Sequence, residues 1–141
     1  MRVLVVVLSF LAATTATAQA PKPQTATYEA VADDAPDAVS RLRVTPVGAD
    51  AYAIDFSVVA PNPSRHTGRI RGLAVREGSR LVLKVPAFME DGNIDDPPLC
   101  TLVIEADEAR ARVAGEDGCV GFHGAGASFL ALGRNLVRSD R

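Results

Sequence analysis

A chain of 141 residues, with a formal net charge of −2 and 48% hydrophobic residues, has the material for one ordinary domain with a single core. Its near-neutral balance gives no electrostatic footprint for nucleic acid. With 5% aromatic residues and no tryptophan, it also offers few stacking platforms for bases or sugars.

Residues 1–18 have the layout of a secretory signal: Arg2 is the positive start, Val3 to Ala13 form an apolar run broken by Ser9, and small residues lead to Ala16-Thr17-Ala18. The apolar run is too short for a membrane span. Cleavage after Ala18 is favoured over cleavage after Ala20, which would place Pro21 directly behind the cut. The mature chain is expected to start at Gln19, to be periplasmic or secreted, and to lack a transmembrane segment. Residues 19–26, rich in Pro, Thr and Gln, read as a flexible N-terminal segment. Residues 27–134 read as a single β-domain and 135–141 as a polar tail.

Along the domain, Tyr28, Ala30 and Ala32 suit a short strand, and Asp33 to Asp37 form a polar interruption expected to open a helical turn. Arg41 to Thr45 is a second strand. Tyr52, Ile54, Phe56 and Val58 alternate with small or polar residues, the pattern of a half-buried antiparallel strand that Pro61-Asn62-Pro63 ends. A hairpin follows, with arms 67–76 and 80–85. Gly68 and Gly72 in its first arm mark either a bulge or a place where another backbone comes close.

Residues 86–98 form a long connection, and long loops in compact domains are often functional. Phe88 and Met89 could fill an apolar subsite on a partner, and Glu90, Asp91, Asp95 and Asp96 could face a cationic rim. The competing reading is that Phe88 plugs a barrel and the acids keep the loop solvated. Asp91-Gly92-Asn93-Ile94-Asp95 resembles the start of a calcium loop. However, Asp96 stands where that motif needs glycine and Leu102 where it needs the bidentate glutamate, so a solvated acidic loop is the better reading.

Cys100 to Cys119 is a strand, a turn and a return strand, with Leu102 and Ile104 on one face and Ala111 and Val113 answering them. Antiparallel arms bring the two cysteines together at the hairpin base, and an oxidising compartment favours a Cys100–Cys119 disulfide over two buried thiols. Residues 122–127 form a glycine-rich turn, and Ser128 to Leu132 is expected to be the last strand. The fold class is all-β: a small antiparallel barrel or a strongly curved meander of about seven to eight strands.

The chemistry is sparse. No serine lies in a nucleophile-elbow motif and both thiols are committed, so the chain is expected not to be an enzyme and to need no cofactor. His66 and His123 form no metal set, and His123 reads as a turn residue bonded to backbone. Gly121, Gly124 and Gly126 lack phosphate-loop spacing. Arg65, Arg69 and Arg71, at even spacing, form a candidate basic stripe that a solvated edge explains equally well.

Gly72-x-Ala74, Leu81-x-Leu83, Cys100-x-Leu102-x-Ile104, Ala111-x-Val113, Cys119-x-x-Phe122-His123-Gly124 and Phe129 together resemble the C-terminal half of small exported bacterial proteins near the periplasmic lysozyme-inhibitor families. The resemblance covers residues 67–132. It implies a secreted β-domain with a cystine and, for some relatives, inhibition of a cell-wall hydrolase by a loop entering its cleft. The serine-glycine and threonine-lysine-glycine loop motifs of the better-known inhibitors have no counterpart here, so no inhibitory residue carries over. The expected function is an exported non-enzymatic binding protein, with a cell-wall hydrolase as partner. The alternative is a periplasmic structural or small-ligand-binding barrel.

Overall fold

The computed structural model describes residues 24–33, 35–87 and 98–140. Eight strands follow one another: β1 (Ala26–Ala32), β2 (Ala35–Pro46), β3 (Ala51–Val59), β4 (Thr67–Glu77), β5 (Arg80–Pro86), β6 (Leu99–Ala106), β7 (Arg110–Asp117) and β8 (Leu136–Arg138). Each runs antiparallel to the next, and β8 pairs with both β7 and β1 to close the barrel. Closure gives every strand a neighbour on both sides, so no whole edge strand is left as a template for strand-on-strand aggregation.

The alternation in the sequence sets the faces. Leu42, Ile54, Phe56, Val58, Ile70, Leu83, Leu102, Ile104 and Leu136 point inward and are buried, while arginines and acids occupy the intervening outward positions. Tyr28 is also buried, and its hydroxyl donates to the Asp107 carbonyl at 2.7 Å, tying β1 to the turn between β6 and β7.

Three local expectations are corrected. The helical turn expected after Asp33 is replaced by strand: β2 already begins at Ala35, which faces Ala32 of β1. Ser128 to Leu132 is not a strand. It forms a short helix, α1 (Phe129–Leu132), because the Ser128 side chain accepts from the Ala131 amide and Gly133 ends the turn through its N–H to the Phe129 carbonyl. The last strand instead lies at Leu136–Arg138, within the stretch expected to be a polar tail.

β8 pairs with only two residues of β7, Arg110 and Ala111. Beyond them Val113 donates to the Gly133 carbonyl at 2.8 Å, and α1 packs over the seam, sending Phe129 into the core. The Phe129 ring centre lies 5.3 Å from that of Phe56. Among the described residues, no helix is long and apolar enough to cross a membrane.

Candidate functional site

Two places gather polar or partner-binding potential, and both sit at the Cys100–Cys119 end of the β6–β7 hairpin. The first is the base of the loop between β5 and β6. Pro86 pairs with Leu99, and the Ala87 amide donates to the Pro98 carbonyl at 2.7 Å, so the chain is clamped on either side of residues 88–97. Cys100 pairs with Val85 one step further down, and its disulfide to Cys119, with Cα atoms 4.4 Å apart, joins that stem to the end of β7. Gly118 allows the crossing: it has φ +68°, and a Cβ there would lie 2.4 Å from the Leu99 carbonyl oxygen. The candidate contact residues Phe88, Met89, Glu90, Asp91, Asp95 and Asp96 lie outside the described residues, while the stem that carries them lies within.

The second place is a cluster that the sequence reading missed. Val103 pairs with Gly115 but Ile104 with Val113, so Ala114 is an extra residue in β7. A bulge of this kind re-aims the side chains beyond it. Glu116 now faces inward-pointing Leu102 across the ladder, and its side chain is only 10% exposed. There Glu116 Oε2 accepts from the Ser128 hydroxyl and the Leu130 amide, each at 2.6 Å, and Oε1 lies 2.8 Å from His123 Nε2. The visible signal was a glycine late in a strand, Gly115, which marks bulges.

The cluster contains a hydroxyl, an imidazole and a carboxylate in an order that does not make a nucleophile. In hydrolytic triads the imidazole stands between the other two and takes the hydroxyl proton. Here the carboxylate stands in the middle, and the Ser128 hydroxyl donates its hydrogen bond to Glu116 while its oxygen accepts from the Ala131 amide and caps α1. His123 packs edge-on against Phe129, and its Cβ occupies the space a side chain at Gly68 would need. That close backbone approach, through a bridge between Gly68 and His123, accounts for Gly68 without any bulge in β4. His66 closes the other side of the turn, with Nδ1 2.6 Å from the Ala125 carbonyl and its ring against Gly124. The arrangement staples the turn over residues 123–128 and α1 onto the barrel.

The three arginines singled out earlier do not form one stripe. Arg69 and Arg71 share the Asp55 carboxylate from neighbouring outward positions on β4, at 2.9 and 3.1 Å. Arg65 precedes the strand, in the left-handed region at φ 49°, and pairs with Asp37, whose carboxyl it holds below the usual value. Across β5 to β7, hydrogen bonds from Arg112 and then Arg80 hold the Glu105 carboxyl below its ordinary value. No group of three or more metal-ligating side chains occurs among the described residues.

Fold and site together define an eight-stranded meander barrel with a filled interior, stapled by one disulfide and with a paired stem flanking residues 88–97. No protein-family model, curated protein or solved structure matches the chain.

Proposed function

We propose that this protein is an exported, non-enzymatic binding protein of the bacterial envelope whose partner is a cell-wall hydrolase, engaged by the loop between β5 and β6. The observation that carries the reading is the filled barrel. Phe56, Phe129, Leu42, Leu83, Leu102 and Ile104 occupy the interior and are fully buried, so recognition belongs on the outside of a rigid body. Rigid stems suit that task, since a loop held at both ends loses less freedom on binding. The disulfide fits an oxidising compartment, periplasmic or extracellular.

The choice of residues within the loop comes from the sequence: Phe88 and Met89 as apolar anchors, Glu90, Asp91, Asp95 and Asp96 as charges for a cationic enzyme rim. The alternative of a barrel holding a small apolar ligand has the filled interior against it. The bland alternative for the Glu116, His123 and Ser128 group, a structural clasp, explains every hydrogen bond it makes. Turnover of a cell-wall substrate by several muramidase types, titrated with the folded protein, is the test. Saturable slowing at micromolar concentration supports the proposal, and unchanged turnover by all of them removes it.

A further inference from the structure

On the barrel wall where β7 meets the link between α1 and β8, a cleft of about 440 Å³ opens to solvent, within the size range of small-molecule sites. Its lining carries three arginines, two carboxylates, Glu105 and Asp107, and the neutral polar groups of Ser79 and Asn135. Arg110 and Arg112 project from β7, Arg134 and Asn135 come from the link, and Ser79 closes the side. Val137, which is exposed, supplies an apolar side.

The charges in this cleft are unevenly committed. Glu105 is shared by Arg112 and Arg80. Asp107 spends an oxygen on the Ala109 and Arg110 amides, both at 2.7 Å. Arg110 and Arg134, by contrast, pair with no carboxylate among the described residues. Two uncommitted guanidiniums, a third arginine held beside them and an amide present more donors than the two oxygens of a carboxylate can accept, and the three non-bridging oxygens of a phosphate monoester take up more of them. The outer face of β2 to β4 is also rich in arginine, but there Arg69 and Arg71 already share Asp55 and Arg41 is paired with Glu29, which leaves Arg43 as a single free guanidinium and not a cluster.

We propose that this cleft is a binding site for a phosphate monoester with a small apolar body, the phosphate held by Arg110, Arg112 and Arg134 and the body resting on Val137. The proposal is independent of the hydrolase reading, because the cleft uses none of residues 86–98.

The test is an amide-resolved NMR titration of the full mature chain with phenyl phosphate, inorganic phosphate and benzoate. Arg110→Ala, Arg134→Ala and, as a control on a distant and equally free arginine, Arg43→Ala are titrated alongside. Phenyl phosphate should give saturable shifts at Ala111, Asn135 and Val137 and bind more tightly than the other two. Arg110→Ala and Arg134→Ala should each weaken it about tenfold, the loss expected for one charged hydrogen bond, while Arg43→Ala leaves it unchanged. All three arginines are exposed, and unaltered spectra elsewhere will show that the variants are folded. Absence of saturable shifts at millimolar phenyl phosphate, equal affinity for benzoate, or an equal loss in Arg43→Ala would overturn the proposal.

Discussion

Glu116 shows how one side chain can connect three elements. Its carboxylate takes hydrogen bonds from the residue that caps α1, from an amide inside α1, and from the imidazole that seals the turn before it. Replacing it by alanine leaves these donors in a largely buried place without an acceptor, so Glu116→Ala should lower stability by about 2–3 kcal/mol. Glu116→Gln, which keeps one accepting oxygen and the shape, should cost less. Urea denaturation of both variants decides, and a neutral Glu116→Ala would mean that water replaces the carboxylate. Alternation hid the residue, because period-two counting through β7 puts it on the solvent side, and Gly115 was the one hint of a bulge. The single inserted residue, Ala114, reverses that assignment, and nothing in the alternation announces where a bulge falls. Glu105 behaves in a simpler way. Two arginines hold its carboxyl below the ordinary glutamate value of 4.5, Arg112 more than Arg80. Because the folded value is the lower one, the pairing stabilises above that ordinary value and is lost as pH falls through the lowered one. A carbon-13 titration should therefore place the Glu105 midpoint below 4.5 and move it back towards 4.5 further in Arg112→Ala than in Arg80→Ala.

The elements were legible where the alternation is long and hidden where it is short. β3 shows four large apolar residues at alternate positions, and the hairpin between β6 and β7 is bounded by its two cysteines, so both could be read directly. α1 and β8 could not. Ser128 to Leu132 is an apolar run of a length that suits a buried strand or a helical turn equally, and only the flanking Ser128 and Gly133 favour the helix. β8 is three residues between polar neighbours, held by pairing with β1 and β7 rather than by any propensity of its own. The disulfide acts at this same scale. It closes a loop with a sequence separation of 19 and joins the stem of the β5–β6 loop to the strand that carries the bulge. Replacing Cys100 and Cys119 together by alanine should reduce stability by about 2–5 kcal/mol, chiefly by freeing the unfolded chain. Denaturant midpoints for the native and doubly substituted proteins measure it. An unchanged midpoint would show that the strand ladder alone holds the hairpin.

At the scale of the whole molecule, the sequence settles which faces point inward but not that the sheet closes. Alternation says which side of each strand meets the core, whereas closure depends on the short β8 reaching both neighbours and on α1 covering the rest of the seam. With closure, the interior is consumed by packing, so the proposed binding role falls to surfaces outside the barrel. For the loop, electrostatics gives a test that separates recognition from mere solvation. If Glu90, Asp91, Asp95 and Asp96 face a cationic hydrolase, they act over roughly 30 Å at 0.01 M salt and only about 3 Å at 1 M. They should then govern association far more than residence once bound. Neutralising all four, as Glu90→Gln, Asp91→Asn, Asp95→Asn and Asp96→Asn, should slow the onset of inhibition strongly at low salt, with the difference from the native protein shrinking as salt rises. Association rates on an immobilised muramidase, measured across that salt series, provide the reading. Equal rates for the two proteins at low salt, with inhibition by the native protein intact, would assign the acids to keeping the loop in water and leave Phe88 and Met89 as the contact residues to examine.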